Sequence, residues 1–137
     1  EEEGVIKNIW NLITALDSET DSVRMHWGFL RDRLESGIDD DFEKGFWEKY
    51  SEYTEYLDSH KIVITKEAES KFQDYYASID KMLYITKICK RDSSELLDSK
   101  KLFDEINDKL SNAEVELSTQ RNIAGEYFRN ILRGQES

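Results

Sequence analysis

Residues 93–133 read SSELLDSKKLFDEINDKLSNAEVELSTQRNIAGEYFRNILR, and the spacing inside them decides the fold. Leu96, Ser99, Phe103, Ile106, Leu110, Ala113, Leu117, Gln120, Ala124, Tyr127 and Ile131 follow one another in steps of three and four residues. Such steps draw one stripe along one face of an α-helix. Kept for five heptads without a change of phase, the stripe predicts a single helix that packs lengthwise against other helices.

The same arithmetic works backwards along the chain. Residues 66–91 carry Ala68, Phe72, Tyr75, Ile79, Met82, Thr86 and Cys89 in strict 4-3 alternation. Thr65 stands where an N-cap belongs, and Lys87, Lys90 and Arg91 stand in the last turn, where cations suit the helix dipole. Asp92 with Glu95 has the spacing of a capping box for the following helix. Residues 5–36 hold Ile6, Ile9, Ile13, Leu16, Thr20, Val23, Trp27, Leu30 and Leu34 in phase. Residues 17–22 (DSETDS) look like a loop by composition, but the phase runs through them, which predicts one continuous helix. Ser36-Gly37 ends it, and Asp40 with Glu43 starts the next one. That segment runs to about Asp58, with Phe42, Phe46, Tyr50, Tyr53 and Leu57 inward. His60-Lys61-Ile62-Val63-Ile64 is a short apolar connector that closes one end of the core.

The expected fold is therefore all-α: an elongated four-helix up-down-up-down bundle with coiled-coil-like packing, spanning 1–137 as one helical-bundle domain. The first and fourth helices are longest, about 48 and 60 Å at 1.5 Å per residue, against about 30 and 39 Å for the inner two. Their paired ends should overhang by about 20 Å and leave Trp10, Tyr127, Phe128 and Ile131 as a candidate apolar interface.

Composition narrows the class. The 137 residues include no proline, one cysteine, 16 aromatics (Trp 3, Tyr 7, Phe 6), 19 basic and 30 acidic side chains, for a net charge of −11. A proline-free chain leaves the helical period uninterrupted. One cysteine excludes a disulfide scaffold, no apolar run reaches the roughly 18 residues of a membrane span, and the aromatics argue against disorder. The charge is uneven: residues 1–70 hold 8 basic and 18 acidic side chains, net −10, and residues 71–137 hold 11 and 12, net −1. Such a surface repels nucleic acid and anionic lipid and attracts basic partners.

No pattern carries catalysis, a metal or a cofactor. Di-iron bundles need Glu-x-x-His pairs, but Val23 and Leu57 stand three residues before His26 and His60. Asp39, Asp41 and Glu43 open like a calcium loop, yet Lys44 and Tyr50 occupy the positions that require Gly and Glu. The Arg-x-x-x-x-His signature of helical RNA-cleaving domains is missing, as are glycine-rich phosphate loops. Cys89 lies on the buried seam and reads as an inert thiol. Glu48 and Glu52, four residues apart, read as a solvated face rather than a metal site. Thr20, Thr86, Ser99 and Gln120 interrupt the seams with polar groups, and Thr and Ser so placed bond back to their own helix. Gly28, Gly45 and Gly125 inside helices point to close helix contacts beside Trp27, Phe46 and Ala124.

The second segment carries the candidate surface. Glu48, Glu52 and Glu55 run down one side of it as a candidate partner-binding acidic face. Trp47, Tyr50, Tyr53 and Tyr56 line its other sides, Tyr50 and Tyr53 as core with Trp47 and Tyr56 flanking. The expected function is a non-catalytic interaction or scaffold domain that binds a protein partner or a second copy of itself. The first residue is Glu1 rather than Met, which reads as a piece of a longer protein; the paired termini and overhanging outer helices are what a membrane tether would require, and the single cysteine fits either face of that membrane. In length and helix order the plan resembles the extracytoplasmic four-helix sensor domains of bacterial receptors. That resemblance implies a ligand at a bundle or dimer interface and a signal carried by helix displacement. The alternative is a small acidic inhibitor that covers a basic partner surface.

Overall fold

The computed structural model describes residues 2–27, 30–36, 44–60 and 62–136. Among them the regular structure is entirely helical: α1 (Glu2–Trp27), α2 (Leu30–Ser36), α3 (Lys44–His60), α4 (Lys66–Arg91), α5 (Ser93–Asp98) and α6 (Lys100–Glu136). The turn at Gly37, the Asp40–Glu43 capping box, the Asp39/Asp41 pair, Phe42 and Gly28 lie outside the described residues.

α4 is the central element, and its sequence accounts for both ends. Thr65 Oγ1 accepts the Ala68 N–H at 3.1 Å, and Lys90 and Arg91 close the last turn. Its seam from Ala68 to Cys89 is wholly buried, and Ser78, Leu83 and Ile85 widen it into a broad buried face. Thr65→Ala removes the cap and should lower stability by about 1 kcal/mol, read as a fall in the urea midpoint at unchanged slope.

α1 is unbroken through residues 17–22, and Ile6, Ile9, Ile13, Leu16, Thr20 and Val23 are all buried. Leu30 and Leu34 of α2 continue the seam in phase. Thr20 Oγ1 donates to the Leu16 carbonyl and Thr86 Oγ1 to the Leu83 carbonyl, both at 2.8 Å. The two buried threonines thus satisfy themselves on their own helices and leave no polar gap.

The stretch that decides the fold is not one helix. The backbone at Ser99 is extended (φ −125°, ψ 109°) and separates α5 from α6. Ser99 Oγ accepts the Leu102 N–H at 3.3 Å, so this serine starts a helix instead of sitting inside one. The seam survives the break, since Leu96 and Ile106 are both buried. The Asp92–Glu95 capping box does not form. The Asp92 side chain makes no cap bond, because its carboxylate takes Arg91 Nε and Nη2 at 2.9 and 3.0 Å. That charge-assisted fork outcompetes a single backbone N–H. Near its far end the buried stripe of α6 passes from Ala124 to Phe128, with Tyr127 only half-buried. It drifts by one residue, as a straight helix of 3.6 residues per turn drifts against a strict heptad.

The most extensive helix packing joins α4 to α6 and α1 to α3. Each pair runs in opposite directions. Asn8 Nδ2 donates to Tyr56 Oη at 2.9 Å, while Glu19, further along α1, lies beside Gly45 at the start of α3. Phe72 stacks on Phe128 with centroids 4.3 Å apart, while Lys81 Nζ reaches Glu116 at 2.7 Å. At the far end α2 and α5 pack together, and the Arg31 guanidinium lies 4.5 Å over the Phe103 ring.

The expected overhang is absent. Val5, Ile6 and Ile9 are buried within the single chain, because α3 extends to His60 beside them and Phe72 of α4 reaches across to Phe128. The connector is split in role: Ile64 is buried, whereas Ile62 is 97% exposed. Gly125 has a specific reason, since a Cβ there would come within 3.0 Å of the Trp10 ring. Gly45 likewise faces Glu19 Oε2, which a Cβ would meet at 2.7 Å.

Candidate functional site

Helix α3 divides its side chains among three directions. Inward, Phe46, Tyr53 and Leu57 are buried. Tyr53 Oη donates to the Phe72 carbonyl at 3.3 Å, and its ring meets Tyr75 edge-on at 6.1 Å. Along one flank Tyr50 is half-buried and stacks on Phe46 and Tyr76 at 5.7 and 5.6 Å. Tyr50 Oη donates to Asp80 at 2.5 Å. Trp47 closes this row edge-on to Phe46 and Tyr50 and stays 39% exposed. The aromatics of α3 thus chiefly pack between helices, with Tyr50 less enclosed than its inward spacing suggests.

Outward stand Glu48, Glu52 and Glu55, all exposed. Glu52 lies 3.6 Å from Lys49 on the same helix. Beside them α1 and α3 leave an open groove of about 390 Å³, lined by Leu12, Glu52, Glu55, Tyr56, Ser59 and His60. The groove has a fixed wall. Tyr56 Oη is held by Asn8, the Tyr56 and His60 rings stack at 4.0 Å, and His60 Nδ1 lies 2.8 Å from the Tyr56 carbonyl. Two of the candidate acids therefore border this shallow groove, and Glu48 does not. The spacing of α3 alone could not show this. Leu12, off the α1 seam yet packed against the core as Val5 and Trp10 also are, is a sequence signal of a wider contact face on α1.

The second candidate cluster comes together as geometry. Trp10 and Tyr127 flank Phe128 with centroids at 6.2 and 5.2 Å. Phe128 is fully buried in the chain, and Trp10, Tyr127 and Ile131 are half-buried around it.

One part-buried polar cluster lies between three helices. Tyr75 Oη donates to Asp17 Oδ1 at 2.5 Å, Arg121 Nε lies 4.0 Å from Asp17, and Arg121 Nη1 lies 3.8 Å from Asp21. It joins α1, α4 and α6. Burial raises the Tyr75 hydroxyl far above the ordinary tyrosine range, and the Asp17 charge adds to the effect. Every member has a protein partner, so the arrangement fixes register more readily than it performs chemistry.

Among the described residues no three His, Cys, Asp or Glu side chains are placed to share a metal ion. Cys89 is buried, and burial pushes its thiol up to about 11. Its reaction with a disulfide reagent at pH 8 should be roughly two orders of magnitude slower than in denaturant; a rapid native-state reaction would show an open thiol. No helix among the described residues is long and apolar enough to cross a membrane. No protein-family model matches the chain, and no curated protein or solved structure matches it significantly.

Proposed function

We propose that the chain is a non-catalytic interaction domain, a four-helix up-down-up-down bundle whose acidic α3 face engages a basic protein partner. The observation that supports this most is the pairing of charge with relief. Exposed Glu52 and Glu55 border a shallow open groove with Leu12, Tyr56 and His60 beside them. An evenly solvated helix face needs acids for solubility alone; a recognition face needs them beside apolar and aromatic area. The same face suits a free-standing acidic inhibitor, which differs in its context and not in its surface.

The test uses a poly-lysine peptide titrated into the protein at low and high salt. Binding should be present at low salt and fall steeply at high salt. Glu48, Glu52 and Glu55 changed together to Gln should weaken it strongly and leave the urea midpoint within about 0.5 kcal/mol of the parent, since exposed substitutions rarely do more. Undiminished binding by the triple variant would sink the reading.

A further inference from the structure

The α1–α3 groove allows a sharper statement, which rests on the interaction-domain reading. We propose that it is a docking site for an arginine side chain carried on an exposed segment of a protein partner.

Three features of the groove converge on that group. Glu52 and Glu55 lie one turn apart on its rim, where two carboxylates can take both edges of a planar guanidinium. Glu52 is only loosely engaged, 3.6 Å from an exposed Lys49, and no ion pair to Glu55 occurs among the described residues. Tyr56 gives an aromatic wall that is already immobile, pinned by Asn8 at 2.9 Å and backed by the His60 ring at 4.0 Å. A guanidinium is weakly hydrated and stacks on such a ring, whereas an ammonium is compact and strongly hydrated. Leu12 lines the α1 side and offers apolar surface to a methylene stem. The groove is shallow and open, so a long side chain would lie along it rather than insert. Preorganised walls reduce the entropy lost on binding. A lysine would satisfy the charge but not the plane, and an apolar side chain would leave two carboxylates facing it unpaired.

The experiment titrates three short peptides into the full chain, identical except for one central residue: arginine, lysine or citrulline. Amide chemical shifts locate the site and give the affinities. The arginine peptide should bind about tenfold tighter than the citrulline peptide and measurably tighter than the lysine peptide, with shifts centred on Leu12 and residues 52–60. Glu52→Gln and Glu55→Gln should each weaken the arginine peptide about tenfold, and Glu48→Gln, which changes the field but not the groove, about twofold. Equal affinity for arginine and lysine, with the three glutamate variants equally impaired, would overturn the docking site and leave a diffuse acidic face, so the interaction reading would stand. Shifts centred elsewhere would overturn the site alone. No binding of any cationic peptide would overturn both.

Discussion

Leu110→Asp is expected to abolish cooperative folding. Leu110 is 3% exposed and lies three turns into α6, the helix with the most extensive packing against α4. Truncation at such a site costs about 2–5 kcal/mol through lost burial and a residual cavity. The aspartate adds the penalty of a buried charge with no partner, several kcal/mol more. A domain of this size has only about 5–15 kcal/mol of stability in all, so the sum removes most or all of it. The control lies on the same helix. Val115 is 67% exposed, and Val115→Asp should change stability by no more than about 0.5 kcal/mol. Far-ultraviolet circular dichroism during heating reads both. A parent-like melt for Leu110→Asp would show that the α6 seam does not face the core. A collapse of both variants would point to helix propensity or net charge instead of burial.

Much of this architecture is legible in the spacing because burial on a helix is periodic. The α4 seam of Ala68, Phe72, Tyr75, Ile79, Met82, Thr86 and Cys89 is buried without exception. So are the described members of the α1–α2 seam, including Thr20, whose polarity its own helix absorbs. Continuity of α1 through residues 17–22 follows from the same phase, which outweighs a loop-like composition because six positions of a helix inherit their place from the packed turns on either side.

The misses share a physical cause: each depends on a local competition that period cannot weigh. Ser99 occupies a seam position yet its hydroxyl caps Leu102, so a phase-perfect stretch contains a helix break. Asp92 has the capping-box spacing, but the adjacent Arg91 claims its carboxylate in a two-point contact. The supposed overhang failed for a different reason. Rise per residue gives helix lengths but not register, and Asn8 bonded to Tyr56 brings α1 level with α3 while Phe72 stacked on Phe128 at 4.3 Å brings α4 level with α6. For the site, the acids of α3 were visible, while the groove was not. Its walls come from Leu12 and the Asn8–Tyr56 bond, and which face of α1 lies against α3 is a tertiary fact.

The second large effect is alkaline unfolding, and the tyrosines set its position. Tyr53 and Tyr75 are both fully buried, and burial raises each hydroxyl well above its ordinary range, helped at Tyr75 by the Asp17 carboxylate. In the unfolded chain a tyrosine titrates near 10. Below that value both states hold the proton and pH has no leverage. Above it the unfolded state releases protons that the folded state retains, so ν_U falls below ν_N and stability declines as pH rises. Each such group removes about 1.4 kcal/mol per pH unit, so the pair removes roughly 5 kcal/mol between pH 10 and 12, much of the reserve of a small domain. The buried Cys89 thiol acts in the same direction from a lower starting pH. Urea midpoints should therefore be flat from pH 7 to about 8, slope gently as the unfolded-state thiol titrates, and drop steeply beyond about 10, with tyrosinate absorbance rising together with loss of helicity rather than before it. Tyr53→Phe tests the assignment cleanly, because it removes one titrating hydroxyl and only a 3.3 Å bond to the Phe72 carbonyl. It should make the alkaline decline shallower by about a third, since Tyr75, Tyr50 and Cys89 still act in the same direction. Tyr75→Phe should share that shallower slope yet begin from lower stability at neutral pH, because Asp17 then loses its hydroxyl donor. Tyrosinate absorbance that appears near pH 10 while helicity is intact would show that these rings are open to solvent, and the packing of α3 on α4 would have to be redrawn.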